Sequence, residues 1–348
     1  MKILVIGGTG FISGRLVKKL LAKGHTVSVV TRRHTAPSAF DPTKVRFLTA
    51  DRTKEAELKN VLGNQTFDAV YDMIDYEPGE SEAAVRIFKG RTGRFIHCST
   101  VSVYMVSNDI RCPVTEDQDR TPLMKHFPRN PFGMDYGIRK RKCEEVLWEA
   151  HDAKTFPVSM LRPTFVCGPG DPAKRDFFWI ERILDGQPLL VPGTGDHAFQ
   201  QVYVEDVAVA FARLLERDDS IGHAFNVAAE EVMSLNDYLR RLSELLNRSP
   251  EIIHVDQEMF DTLPFSVSRN GDVFPFNTRR TAFFSLGRIK ERLGFRATEF
   301  SEWMPETIAW FREKQKGHSN GYEHRHAEIA FAVRWKQGIE QLRKGMNV

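Results

Sequence analysis

Tyr136 and Lys140 stand four residues apart at the start of a segment, 136–149, whose pattern predicts a long helix. Residues at that spacing share a helix face, so the phenol and the ammonium can meet. A free tyrosine ionises near pH ~10 and is a poor base at neutral pH. A neighbouring cation favours the phenolate, each unit of depression being worth ~1.4 kcal/mol. Acid–base work at a carbon also needs a group to hold the reacting oxygen. Thr100 supplies one, in Ser99-Thr100 just past the apolar strand 94–98. That is the carboxyl edge at which parallel sheets bind ligands. A Tyr-x-x-x-Lys spacing alone arises often by chance, and gains weight only from what else the chain carries.

What else it carries is the turn Gly7-Gly8-Thr9-Gly10, between the apolar run 2–6 and a helical pattern over 11–21. A dinucleotide pyrophosphate needs a tight turn, a backbone it can approach closely and a free helix N-terminus. Gly7 and Gly10 answer the first two needs, and Phe11 and Ile12 open the helix, so these four are the expected cofactor-binding residues of the turn. Ser13 stands where the usual pattern has its third glycine, and it is small enough for close helix–strand packing. The second strand, 26–31, ends on Thr31-Arg32-Arg33 with no carboxylate in reach. NAD sites usually carry an acid there, whereas guanidinium groups suit a ribose 2′-phosphate. NADP(H) is therefore the expected cofactor, with NAD the alternative, and Arg32 and Arg33 are its discriminating contacts. Asp51, after the third strand, is placed to accept from the adenine amino group or equally to serve a helix N-terminus.

The elements that must position these groups alternate. Strands are expected at 2–6, 26–31, 45–48, 67–74, 94–98 and 158–162, with helices at 11–21, 56–62, 81–88 and 136–149 between them. Such alternation predicts an α/β fold built on a Rossmann-type, doubly wound parallel sheet. Further elements follow, namely a helix at 177–184, a strand running into a helix over 202–217, a strand at 224–227 and a helix at 235–246. The stretch 264–278, rich in Pro, Phe, Asn and Gly, reads as a loop over a pocket; Phe274, Phe276, Phe283 and Phe284 suit either a pocket wall or the core. The 348 residues carry a net charge of only +3, too mild to suggest a nucleic-acid surface. The four cysteines (Cys98, Cys112, Cys143 and Cys167) have neither zinc nor redox spacing and are expected to be reduced. No apolar run reaches the ~20 residues of a membrane span, and the protein is expected to be cytoplasmic, with no metal site.

With these motifs in view, the chain resembles the extended short-chain dehydrogenases/reductases, the NAD-dependent epimerase/dehydratase family. Besides the turn, Thr100 and the Tyr136, Lys140 and Glu144 series, the resemblance rests on Leu161-Arg162-Pro163, Gly168-Pro169-Gly170, Val204-Glu205-Asp206-Val207-Ala208, Phe225-Asn226-Val227 and Leu293-Gly294-Phe295. It implies a dinucleotide-binding part at 1–165 and about 200–230, and a smaller C-terminal α/β substrate domain at 166–199 and 231–313. A helical extension follows at 314–348. It further implies hydride transfer at a hydroxyl or keto carbon of a sugar-like, possibly nucleotide-sugar, substrate. Tyr136 would be the acid/base, Lys140 would bind the nicotinamide ribose, Thr100 would hold the substrate oxygen, and the protein would be a homodimer.

The departures concern the substrate. Sugar-nucleotide 4,6-dehydratases carry an Asp-Glu pair after the active-site Thr, where this chain has Val101 and Ser102. An Arg that grips a diphosphate is replaced by Phe199-Gln200-Gln201, although Arg269-Asn270-Gly271-Asp272 resembles a second gripping motif. Ser102 and Arg269 are thus the substrate-contact candidates. The fourth strand, Val70-Tyr71-Asp72-Met73-Ile74-Asp75, lacks the usual small residues and is similar to that of a divergent branch that includes chloroplast stem-loop RNA-binding proteins. A non-catalytic, RNA- or protein-binding role is the alternative reading.

Overall fold

The structure is a computed structural model and describes residues 1–32, 40–41, 43–125, 133–264, 274–276, 279–319 and 321–346. Ile3 to Ile6 of strand β1 (Lys2–Ile6) are wholly buried. A strand covered on both faces has no solvent side, which is why the run is continuously apolar rather than alternating. The chain continues through α1 (Phe11–Ala22), β2 (Thr26–Thr31), β3 (Val45–Thr49), α2 (Glu55–Leu62), β4 (Ala69–Asp72), α3 (Pro78–Phe88), β5 (Phe95–Cys98), α4 (Ser102–Met105), α5 (Met134–Asp152) and β6 (Val158–Pro163). Then come β7 (Phe165–Cys167), α6 (Arg175–Leu184), β8 (Leu189–Pro192), β9 (Ala198–Phe199), β10 (Gln201–Tyr203), α7 (Val204–Arg213), β11 (Ala224–Val227), β12 (Met233–Ser234), α8 (Leu235–Leu246), β13 (Ile252–Val255), α9 (Gln257–Asp261), α10 (Gly287–Leu293), α11 (Phe300–Lys314) and α12 (Arg325–Gly345).

Seven strands form one parallel sheet in the order β3-β2-β1-β4-β5-β6-β11. Apolar residues of α2, α3 and α5 (Leu58, Phe88, Leu147) cover one face. Those of α1, α7 and α10 (Leu16, Phe211, Ile289) cover the other. The expected doubly wound architecture is therefore present. Strand order reverses between β1 and β4, and a crevice opens at such a point beyond the carboxyl ends of the strands.

A separate apolar cluster joins α6, β8, α8, β13, α11 and α12. Its strands pair as β8 with β13, β7 with β10 and β9 with β12. Phe274 and Phe276 belong to this cluster, Phe276 stacking on Phe199 at 5.2 Å. Of the expected loop 264–278, only residues 264 and 274–276 are among those described. The C-terminal extension docks rather than trailing. Ala332 is fully buried, and Arg182 of α6 and Arg325 close on Glu328 with exposures of 0, 4 and 1 %.

Most strands lie within one residue of their expected ranges, but one is much shorter. Expected at 67–74, it is limited to Ala69–Asp72. The chain leaves the sheet at Met73 and turns a fully buried Asp75 inward.

Candidate active site

The glycine turn is shaped by sterics. Gly7 adopts φ +78°, and a Cβ there would lie 2.7 Å from Ile74 Cγ2. Ser13 does more than fit. Its hydroxyl donates to the Gly7 carbonyl at 2.6 Å and accepts from the Gly10 amide at 2.9 Å, fastening the turn to the first turn of α1. Phe11 and Ile12 begin that helix, where backbone N–H groups have no intrahelical acceptor. Gly7, Gly10, Phe11 and Ile12 all line one cavity of about 600 Å³. A cradle that excludes any side chain at Gly7 and faces a helix N-terminus fits a pyrophosphate.

The same cavity reaches Thr100, Ser102 and Tyr136, and beyond them Phe165, Arg175, Phe199 and Phe284. Tyr136 arrives on α5, which packs tightly on α4. A Cβ on Gly137 would lie 2.6 Å from the Ser102 carbonyl, so the residue after the tyrosine must be small. Thr100 Oγ1 donates to Ser102 Oγ at 3.1 Å and accepts from the Ser102 amide. The Tyr136 ring lies 6.5 Å from that of Tyr76. Burial raises the Tyr136 phenol well above its ordinary value, with Cys98 and Tyr76 adding to the effect and Thr100 and Arg175 opposing it.

Lys140 is 1 % exposed. Its ammonium donates to the Asp75 carbonyl at 2.6 Å and the Cys98 carbonyl at 2.8 Å, and lies 3.1 Å from His97 Nε2. It also sits 5.7 Å from the centre of the Tyr76 ring. Four residues later, Glu144 accepts from Arg162 Nε at 2.9 Å and Nη2 at 2.5 Å. Glu144 also accepts from the Ser99 hydroxyl, next to Thr100. Tyr136, Lys140 and Glu144 therefore do separate jobs on one helix. One faces the cavity, one ties β4 and β5 together, and one anchors the Ser99-Thr100 segment.

The other candidates lie apart from these groups. Arg32 is exposed at the end of β2. Asp51 Oδ1 accepts from the Thr53 amide at 3.0 Å and hydroxyl at 2.9 Å, which holds its carboxyl below the usual range, and Asp51 does not line the cavity. Arg33 and Arg269 lie outside the described residues. Next to Lys140, Arg141 is only 8 % exposed and donates to the Thr121 carbonyl at 2.7 Å.

Sequence reasoning missed Arg52, Asp72, Asp75 and His97, which are 3, 0, 0 and 0 % exposed. Arg52 Nη2 lies 2.5 Å from Asp72 Oδ2 and 3.5 Å from Asp75 Oδ1, and His97 Nδ1 faces Asp75 Oδ2 at 3.4 Å. Asp72 and His97 carried a signal, as polar residues inside strands that otherwise read as buried; Arg52 and Asp75, past the ends of β3 and β4, carried none. Gln200, at the family's diphosphate-gripping stretch, is also committed. Its amide donates to the Ala229 carbonyl at 2.7 Å, and its oxygen accepts from the Phe284 amide at 2.7 Å.

Beneath the distal wall, Asp176 is fully buried and accepts from Tyr238 at 2.8 Å and Gln201 at 3.0 Å. Burial, with Asp171 nearby, pushes its carboxyl up to about 7. The folded protein then holds a proton that the unfolded chain, with a carboxyl near pH ~4, releases, so stability falls as pH rises from ~4 through ~7. Asp176→Asn never ionises. We expect it to unfold at a higher temperature than wild type at pH 8, by the equivalent of about 2–4 kcal/mol, with the gap closed at pH 4. Equal melting temperatures at pH 8 would refute this.

The fold and this cavity define an α/β protein with a glycine cradle that fits a pyrophosphate and with Thr100 and Tyr136 lining the same cavity; Lys140, expected to meet Tyr136, lies instead behind the lining. The NAD dependent epimerase/dehydratase family model matches residues 3–228, and the chain belongs to that family of enzymes. It is 26 % identical over 317 residues to the chloroplast stem-loop binding protein of 41 kDa b of Arabidopsis thaliana, covering 88 % of this chain and 75 % of that one. Among solved structures, the UDP-glucose 4-epimerase of Thermotoga maritima, determined with UDP-glucose, aligns with a TM-score of 0.69 at 22 % identity over 91 % of this chain and all of that one. The UDP-glucuronic acid 4-epimerase of Bacillus cereus, determined with NAD, aligns with a TM-score of 0.66 at 20 % identity over 91 % of this chain and all of that one. These two likenesses establish the fold.

Proposed function

We propose that this protein is a nicotinamide-dinucleotide-dependent epimerase or reductase acting at a hydroxyl or keto carbon of a sugar-like substrate. The observation that carries the reading is the single cavity lined both by the glycine turn and by Thr100 and Tyr136. In this reading Gly7, Gly10, Phe11 and Ile12 hold the pyrophosphate, and Lys140, behind the cavity wall, acts on the ribose next to the nicotinamide through its charge. The dinucleotide, when bound, takes up or returns a hydride. Thr100 fixes the substrate oxygen, and Tyr136 exchanges a proton with that oxygen. Ser102, hydrogen-bonded to Thr100, extends the polar edge towards the substrate. Two UDP-sugar epimerases among the structural neighbours support a nucleotide-linked sugar as the substrate class.

Arg32 at the end of β2 favours NADP(H) over NAD(H), since that position holds a cation rather than an acid. The expected outcome of Arg32→Ala is a loss of about tenfold in NADP(H) affinity, the scale of one charge-assisted contact, with NAD(H) affinity unchanged. Titration of the purified protein with both cofactors checks it. Tighter NAD(H) binding by the wild type would sink the NADP(H) assignment. What co-purifies separates the two enzyme types, because an epimerase retains its dinucleotide and a reductase exchanges it.

The stem-loop-binding relative supports a second reading, in which the fold is kept for RNA recognition. RNA retention that falls steeply with salt and is unaffected by Tyr136→Phe would favour it.

A further inference from the structure

We infer that His97 and Asp75 are positioning residues for Lys140, forming with Arg52 and Asp72 a closed, buried charge set that fixes the ammonium behind the cavity. The inference rests on the proposed role of Lys140 towards the dinucleotide only for its consequence, not for its geometry. An ammonium has three N–H donors and no acceptor. Lys140 has three neighbouring acceptors, namely the carbonyls of Asp75 and Cys98 and His97 Nε2. Two of these belong to the main chain, one three residues past β4 and one at the end of β5. The third is a side chain, and it can accept only as the neutral tautomer with its proton on Nδ1.

The surroundings enforce that tautomer. Burial and the cations Lys140, Arg52 and Arg162 hold the imidazole well below its ordinary value, so it stays neutral. Its Nδ1 faces Asp75 Oδ2 across 3.4 Å. Asp75 is itself held by the Ser81 hydroxyl at 2.6 Å and lies 3.5 Å from Arg52. Two cations (Arg52 and Lys140) thus face two carboxyl groups (Asp72 and Asp75) around a neutral ring, all at 3 % exposure or less, with Glu80 3.9 Å from Arg52 on the outer side; burial and Asp72 push the Asp75 carboxyl up to about 7. Buried charges persist when they are paired, and removing one partner strands the rest. The consequence is preorganisation. A flexible four-carbon side chain is already ordered, so a ligand that needs its charge does not have to order it on binding.

The test compares His97→Phe, which keeps a ring but loses the acceptor, with His97→Gln, whose side-chain oxygen can accept from the ammonium. The first readout needs no cofactor. Lys140 acetylation by acetic anhydride is followed by mass spectrometry, with exposed Lys290 and Lys336 as internal references. Losing one hydrogen bond to a charged group should speed Lys140 labelling about tenfold in His97→Phe. His97→Gln should stay within about twofold of wild type, and Asp75→Asn should fall between the two. The second readout is the dissociation constant for NADP+, expected to weaken about tenfold in His97→Phe and to recover in His97→Gln. A protein that was merely destabilised would label faster at every lysine and would not be rescued by Gln. Unchanged Lys140 labelling in folded His97→Phe overturns the inference. Faster Lys140 labelling in His97→Phe, with NADP+ affinity unchanged in both His97→Phe and Lys140→Met, supports the positioning role and overturns the proposed role of Lys140 towards the dinucleotide instead.

Discussion

Tyr136→Phe is expected to lower turnover about 10²–10⁴-fold, the range that a positioned acid or base contributes, with any substrate the wild type converts. Dinucleotide affinity should stay within about twofold, since the cradle is made elsewhere, by Gly7, Gly10 and Ser13. Phe keeps the ring that packs against Tyr76, so the protein should fold, and only the hydroxyl is lost. The sign with pH is also fixed. Burial raises the Tyr136 phenol in the free protein, so the phenolate needed to take a proton from an alcohol becomes more abundant as pH rises. Oxidation by the wild type should therefore accelerate from pH 7 to pH 9, and the residual rate of the variant should lack that slope. Steady-state rates across this range, with cofactor titrations alongside, check both points. Undiminished turnover in Tyr136→Phe would remove the acid/base role.

The sheet and the cradle were legible because their causes are local. Continuous burial makes β1 a run of apolar residues, and a positive φ against Ile74 makes Gly7 obligatory. Both leave marks within a few residues of sequence. Tyr136, Lys140 and Glu144 were legible as a face, since helical spacing is also local. Their partners were not. Lys140 meets Asp75 and His97 across 65 and 43 residues, and Arg52 meets Asp72 across 20. Nothing in a spacing says which buried charge closes on which. Gln200 was legible only as an absence. Its position marked a missing ligand contact, but not that both ends of its amide are committed to backbone. Ser13 was seen as a size substitute for glycine, although its hydroxyl ties the turn. Size can be read from sequence, but the direction in which a hydroxyl points cannot.

Arg162→Met is expected to destabilise the protein by about 3–5 kcal/mol, the cost of breaking a buried ion pair from one side. Arg162 is wholly buried. It donates to Glu144 through two nitrogens, to the Tyr104 hydroxyl at 2.6 Å and the Glu116 carbonyl at 2.9 Å, and it pairs with Asp119. Met matches much of its apolar length but leaves Glu144, 2 % exposed, with the Ser99 hydroxyl as its remaining side-chain partner. A lone buried carboxylate relieves its cost by taking up a proton, so the defect should be largest at high pH and shrink as pH falls towards 5. The second effect is on the site. Ser99 is held by Glu144 and adjoins Thr100, so a shifted Glu144 displaces the group proposed to fix the substrate oxygen. Catalysis depends on reacting groups being held in place, so at temperatures where the variant is folded turnover should fall about tenfold or more. Arg162→Met with Glu144→Gln should recover part of the stability, because the stranded charge is gone, but not the turnover, because the anchor on Ser99 stays weakened. Chemical denaturation of the three proteins at pH 5 and pH 8 decides the first point. Recovery of turnover in the double variant would show that Glu144 does not act through Ser99.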